Sequence, residues 1–438
     1  MKIGWVTPIH HASAIGRSGI GIAEAIAKAG VEVDILRSER DRLLKEQRLP
    51  TRLNIHSLAA MRNYAALEAY DLLVYNIGDN ADFHLHAVSA LMQVPGVCIF
   101  HDLLILNLFT GWMAENNRTS GIPSAIDDIY GAGAYSPATP GACYLTRAVN
   151  DFPMLEWLAP RALAAVAHGR HYLSRLRESC PGPVRHIPLA YDLPAEIPPP
   201  SHRSQGDELR LTTIGHINRN KLCAEVIRAI GATAVLRKRC CYRLAGPISD
   251  EMRQDLAGLA ERLGVKLHIA GAVSKSGLAR EIEDADIMVC LRNPVLEGAS
   301  ASAIEAMLAG RPLVVIDHGF YRDLPDDLTI KLAPDFTIET LSERICWLVD
   351  HPDQCRMLGE RAATWARDAF SFETYAKSFI ELAEKAIESK PLLGLAADLG
   401  RELSALGVRP DDPATARIAQ MVSALFLPGD TSCQPNRT

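Results

Sequence analysis

No stretch of the 438-residue chain approaches the roughly 20 consecutive apolar residues that a membrane-spanning helix needs. The N-terminal run Met1-Lys2-Ile3-Gly4-Trp5-Val6-Thr7-Pro8 is also too short for a secretory signal, because His10 and His11 follow at once. The ten cysteines include no Cys-x-x-Cys pair or metal-ligand spacing, and Cys240 adjoins Cys241. This pattern argues against a disulfide or zinc framework, and a reducing cytoplasm is the simplest compartment. Charge of one sign is scarce too: a net charge of -6, with 22% of residues charged, gives no global attraction to nucleic acid or anionic lipid. Only Arg37, Arg40, Arg42, Lys45, Arg48 and Arg52 concentrate positive charge. They read as the solvated face of a helix or, alternatively, as a peripheral contact to the inner face of a membrane.

What is present is ordinary globular material, 48% hydrophobic, at about three times a typical domain length of roughly 150 residues, so two domains are expected. Short, non-alternating apolar runs alternate with amphipathic stretches, the pattern of parallel α/β sheets buried on both faces. One series occupies 2–9, 32–36, 71–78, 96–103, 164–169 and 184–190; a second begins afresh at 209–215 and continues through 242–246, 265–271, 285–291, 311–317 and 328–333. Between them, Pro198-Pro199-Pro200 and a polar stretch read as an extended linker. The expected organisation is a Rossmann-like domain at 1–195, a linker at 196–207 and a second Rossmann-like domain at 208–370. C-terminal helices follow at 371–426, part of them packing back on the first domain, and a flexible tail at 427–438. Residues 109–150 show little periodicity and read as a long loop, either a surface insertion or a wall or lid of the acceptor site.

Open α/β domains in tandem bind ligands at the carboxyl ends of their strands, so the residues just after strands carry the chemistry. After the first come Gly16, Arg17, Gly19 and Gly21, leading into a helix. This is not the dinucleotide fingerprint; it is either a tight turn or a cradle whose amides approach an anion. His101-Asp102 ends a strongly apolar strand, which places His101 to donate a hydrogen bond to substrate at the cleft edge. Gly215 ends another strand, and Arg219 and Lys221 follow close to a helix start, suited to a diphosphate. The sharpest signal is Glu297-Gly298-Ala299-Ser300, then Glu305 after seven intervening residues, closed by Ala306-Met307-Leu308-Ala309-Gly310-Arg311-Pro312. Glu297 precedes the helix and can accept from sugar hydroxyls, Glu305 lies within it and can clamp a ribose diol, and the amides of Gly298, Ala299 and Ser300 can face an anion.

With those residues the chain resembles the family 4 glycosyltransferases, retaining enzymes of the GT-B fold, over most of residues 1–385 and most strongly over 209–325. The resemblance implies that Glu297 meets the donor sugar and Glu305 the nucleotide ribose, that Lys221 holds phosphate, and that Gly16 and Arg17 touch donor phosphate and acceptor. It also places His101 near the reacting centre; Asp102, next to it after the same strand, is read as an acceptor-side residue. The sequence departs from the family where His216 replaces the arginine directly after the glycine, so Arg219 is taken as its substitute. It departs again at His318-Gly319-Phe320-Tyr321-Arg322-Asp323, which stands in place of a Gly-Gly-x-x-Glu loop.

The expected activity is transfer of a hexosyl unit from a nucleotide diphosphate sugar to a glycan, lipid-linked or small-molecule acceptor, with retention. No cofactor is expected and no metal, since the motifs hold no convincing Asp-x-Asp site and two cations can neutralise the diphosphate. Polysaccharide biosynthesis in the cytoplasm, with no nucleic-acid partner, fits these readings. A sugar phosphorylase, a nucleotide-sugar epimerase and a non-catalytic nucleotide-sugar-binding protein are the rival readings on the same architecture.

Overall fold

The computed structural model describes residues 1–61, 63–135, 142–193, 197–198, 208–409 and 412–426. Most of the expected linker and the expected tail therefore lie outside the described residues. The first sheet comprises β1 (Lys2–Thr7), β2 (Glu32–Arg37), β3 (Asn54–Ser57), β4 (Leu72–Ile77), β5 (Val97–Phe100), β6 (Ala164–Ala167) and β7 (Val184–His186), in the order β3-β2-β1-β4-β5-β6-β7. The second comprises β8 (Leu209–Ile214), β9 (Cys240–Ala245), β10 (Lys266–Gly271), β11 (Ile287–Cys290), β12 (Leu313–Ile316) and β13 (Ile330–Leu332), in the order β10-β9-β8-β11-β12-β13. Every strand pairing in both sheets is parallel.

Each sheet is covered on both faces, which explains why β4, β5, β6, β11 and β12 are apolar without alternation. The architecture is α/β, two Rossmann-like domains in the GT-B arrangement. In each sheet the strand order reverses beside the first strand of its series, between β1 and β4 and between β8 and β11. Those two switch points open crevices at the strands' carboxyl ends.

The chain crosses back to its start. The helix Phe372–Ala405 buries Tyr375, Phe379 and Leu382 in the core beneath β1 and β6, and each such side chain contributes about 2 kcal/mol. The domains also touch at the floor of the cleft. Asp102 and Glu297 form an antiparallel bridge, Leu103 and Leu104 donate to the Leu296 carbonyl at 2.8 and 3.1 Å, and Gly298 donates to the His101 carbonyl at 2.7 Å.

Two local expectations are corrected. Within 109–150 the chain is largely helical, with helices at Leu106–Glu115, Ile122–Tyr130 and Ala142–Asp151, and Phe109, Ile126, Ala148 and Val149 bury in the first domain's core. At nine or ten residues each, these helices are too short to display a long period. The basic segment 37–52 is not a helix face: it holds one short 3-10 turn at Asp41–Leu43. Arg37 pairs with Glu39 at 3.2 Å, Arg40 with Glu115 at 2.8 Å and Arg42 with Asp82, so half of its cations are matched. No helix among the described residues is long and apolar enough to cross a membrane.

Candidate active site

The cleft between the two switch points holds a cavity of about 460 Å³. Ala12, Ala14, Arg17 and Tyr191 line it from the first domain; Gly215, Lys221, Arg292, Glu297, Ala299, Ser300, Ser302 and Glu305 are among its lining in the second.

The first domain's wall is built by Ser13, which caps the helix Ala14–Lys28 by accepting from the Gly16 amide at 2.9 Å. Gly16 is required by close approach, since a Cβ there would lie 2.1 Å from the Pro8 carbonyl oxygen. Its role is therefore to shape the loop and not to donate to an anion, because its N–H is spent on Ser13. Gly16→Ala is expected to destabilise the protein by about 1–3 kcal/mol through this overlap and to weaken ligand binding at the cavity, readable together in thermal melts with and without ligand. The same helix start turns Arg17 to the cavity, where it reaches Tyr191 Oη at 3.4 Å and faces Glu305 electrostatically.

In the second domain, Gly215 takes a φ of +82°, conformational space that suits glycine. The turn lets the Lys221 ammonium fold back to the Ile214 carbonyl. Lys221 is only 5% exposed, and burial, followed by repulsion from Arg292, pulls its pKa down to about 7. Arg219 goes elsewhere. Its side chain is 75% exposed and faces Glu251 at 3.6 Å on the outer helix Asp250–Leu263, outside the cavity lining. Exposed pairs of this kind are worth at most about 1 kcal/mol, so Arg219→Ala is expected to leave ligand affinity within about twofold of wild type by calorimetry.

The helix Ala301–Leu308 starts at Ser300, whose hydroxyl accepts from the Ala303 amide at 3.4 Å. Ala299 and Ser300 line the cavity as expected, but Gly298 does not contribute an anion-binding amide, because its N–H bonds to His101 across the domains. Glu297 is held from three directions: Arg292 Nε at 3.1 Å and Tyr321 Oη at 3.5 Å on Oε1, and the Leu296 amide at 3.3 Å on Oε2. Glu305, one full helical stretch further, is 4% exposed. Burial lifts its carboxyl to about 7, with Arg17 and Lys221 holding the rise in check.

His101 is not among the residues that line the cavity; it lies beside the contact between the domains, 6% exposed, its Nε2 2.9 Å from Asn76 Oδ1. Asn76 Nδ2 donates to the Val6 carbonyl at 3.0 Å. A carbonyl can only accept, so Asn76 turns its amide nitrogen to Val6 and its oxygen to His101. His101 therefore carries its proton on Nε2. Burial and the neighbouring His168 and His84 hold its pKa well below the ordinary value, so the ring is neutral. With that single N–H engaged, the side chain offers Nδ1 as an acceptor and not the donor anticipated from sequence. Asp102 accepts from the Asp79 amide at 2.8 Å, and burial raises its carboxyl to about 7, with Asp79 and Glu297 adding repulsion.

One trio among the described residues has metal-ligand spacing, His10, His11 and Glu46. His10 Nδ1 lies 3.2 Å from the Ala12 amide and accepts from it, which leaves the proton on Nε2, the atom facing Glu46. That tautomer is wrong for a metal ligand.

Arg292, Tyr321 and Asn76 went unnoticed in the sequence. Arg292 could have been found by the positional argument that selected His101, since it too follows a buried strand's carboxyl end. Asn76 gives only a faint signal, a polar residue inside an apolar strand.

Comparison with known proteins agrees with this geometry. Residues 196–365 match the family described as glycosyl transferases group 1. Over 133 residues the chain is 29% identical to the MMP alpha-(1->4)-mannosyltransferase of Mycolicibacterium hassiacum, a match covering 30% of this chain and 32% of that protein's length. Among solved structures, sucrose-phosphate synthase from Thermosynechococcus elongatus superposes with a TM-score of 0.59 at 17% identity, over 89% of this chain and all of that one (100%). Anabaena HepE in complex with UDP-glucose gives 0.58 at 15% identity, over 87% and 98%. The structural likenesses establish the fold; the match to glycosyl transferases group 1 covers less than half of this chain, and this chain's match spans about a third of the mannosyltransferase's length.

Proposed function

We propose that the protein is a retaining hexosyltransferase that takes its sugar from a nucleotide diphosphate donor and passes it to a sugar-containing or lipid-linked acceptor. The observation that carries the reading is the convergence, on one interdomain cavity, of Glu297 fixed in place, Glu305 beside Arg17, and buried Lys221. The similar proteins point the same way, since the mannosyltransferase moves a hexosyl unit and the HepE structure holds UDP-glucose.

Glu305 would bind the ribose diol and Glu297 the sugar hydroxyls. Lys221 and Arg17, with the amides around Ala299 and Ser300, would stabilise the charge that develops on the diphosphate as the anomeric C–O bond breaks. The acceptor oxygen would attack from the face the diphosphate is leaving, and its proton would pass to a diphosphate oxygen, so both bonds and the proton are accounted for. These cations suffice to neutralise the leaving group, and activity is expected to persist in EDTA. His101, with Nδ1 as acceptor, would receive a hydrogen bond from a sugar hydroxyl near the reacting carbon. The cytoplasm, the compartment of nucleotide-sugar pools, is the site proposed.

Release of nucleoside diphosphate from the bound donor should depend on added acceptor. Release at the same rate without any acceptor, or interconversion of the donor sugar with none released, would move the reading to a hydrolase or an epimerase. Binding without turnover for every acceptor class would leave a binding protein.

A further inference from the structure

The cavity contains more buried positive charge than its sequence motifs announce. The position directly after Gly215 carries His216, and Arg219 faces outward, yet three cations line the cavity: Arg17, Lys221 and Arg292. Arg292 is the most constrained. It follows β11 at the switch point and is only 5% exposed. Its Nε bonds to Glu297 Oε1 at 3.1 Å and its Nη1 to the Leu291 carbonyl at 2.9 Å. Neither bond uses Nη2, on a side chain that lines the cavity. Its backbone carbonyl is tied in turn to His318 Nε2, in the loop where the sequence departs from its family.

Two cations placed side by side out of water are costly unless an anion completes them. Arg292 and Lys221 repel strongly enough for Arg292 to contribute to the depressed pKa of Lys221. The one carboxylate bonded to Arg292, Glu297, is also shared with Tyr321 and the Leu296 amide. The pair therefore fits a doubly charged ligand lying across the cavity between Lys221 and Arg292, with a guanidinium fork on one side and an ammonium on the other.

We propose that Arg292 is a dual-purpose residue, its Nη2 meeting the terminal phosphate of a nucleoside diphosphate while its Nε holds Glu297 in line with the sugar. This rests on the donor-site reading above, and assigns to Arg292 the part that sequence reasoning gave to Arg219.

The test compares affinities of the full-length protein for UDP, GDP and ADP with those for UMP, GMP and AMP, by calorimetry, in wild type, Arg292→Gln, Arg292→Lys and Tyr321→Phe. Wild type should prefer one diphosphate over its monophosphate. Arg292→Gln should reduce that preference by about tenfold or more, one charge-assisted hydrogen bond, while leaving the monophosphate within about twofold. Tyr321→Phe, which touches Glu297 but offers no cation, should keep the preference. If Arg292→Gln does not fold, Arg292→Lys carries the test: its ammonium cannot hold Glu297 and a phosphate together, so the preference should fall. An unchanged preference in a folded Arg292 variant, or an equal loss for both nucleotide classes, overturns the assignment. Wild type binding none of the six nucleotides would instead overturn the donor-site reading.

Discussion

Glu297→Gln is expected to lower sugar transfer by about 10²- to 10³-fold, the usual effect of removing one contact that strengthens in the transition state. The substitution keeps an oxygen for Arg292 Nε and Tyr321 Oη, so the cavity wall should hold its shape. Glutamine does not match the Arg292 charge, and loss of this half-buried pair should lower the melting temperature by about 2–4 °C. Alanine would be a poorer probe, because it leaves the buried guanidinium without its carboxylate partner, with the Leu291 carbonyl as its remaining acceptor. Donor affinity measured calorimetrically and turnover measured by diphosphate release should separate in Glu297→Gln, with binding falling far less than rate. Turnover near the wild-type rate would remove Glu297 from the reacting centre.

Lys221→Met should behave differently, reducing donor affinity and rate together by about 10²-fold while leaving the free protein at least as stable. The reason lies in the cost of the buried ammonium. Its folded pKa, about 7, lies below its unfolded value near 10.4. Between those two values the unfolded chain binds more protons, so the contribution of Lys221 makes stability rise as pH climbs from 7. Melts of wild type and Lys221→Met across pH 7 to about 10 should show that slope in wild type only.

A diphosphate beside Lys221 favours its charged form, so donor binding above pH 7 should take up a proton. Affinity should then fall as pH rises from the free pKa near 7 towards the higher pKa of the complex, by up to about tenfold per unit, and level off above it. Glu305, with a carboxyl near 7, works in the opposite sense at lower pH, because an ionised carboxylate binds a diol best. Calorimetry near pH 8 in buffers of different ionisation heat isolates the lysine, although Arg292, Cys290, Cys223 and Glu297 share its field. Zero proton uptake there would mean that Lys221 does not meet the phosphates.

The sequence made the fold legible because burial on both faces imposes a strong pattern. Runs such as Leu72-Leu73-Val74-Tyr75 and Leu313-Val314-Val315-Ile316 have no other economical reading. β3 escaped because Asn54-Ile55-His56-Ser57 is a short, half-exposed edge strand with one aliphatic side chain. Glu297, Glu305, Ser300 and Lys221 line the cavity as their spacing anticipates, because a helix start or a tight glycine turn translates local spacing directly into position. Arg219 was misplaced for the opposite reason. Its direction is decided by the helix Asp250–Leu263, distant in sequence, whose Glu251 draws it outward. Gly298 and His101 illustrate a third case: the Gly298 amide is consumed by a contact between domains and the His101 ring by Asn76 on a neighbouring strand, and no local pattern encodes either contact.

The central claim, that this cavity is a nucleotide-sugar site, is tested most directly by thermal unfolding of wild type and Glu305→Ala against UDP-, GDP-, ADP- and TDP-linked sugars, with magnesium and with EDTA. A ligand at 100 times its dissociation constant stabilises the native state by about 2.7 kcal/mol. The account predicts a rise in melting temperature for one nucleotide class, unchanged by EDTA and lost in Glu305→Ala. No rise with any donor, or the same rise in Glu305→Ala, would contradict it.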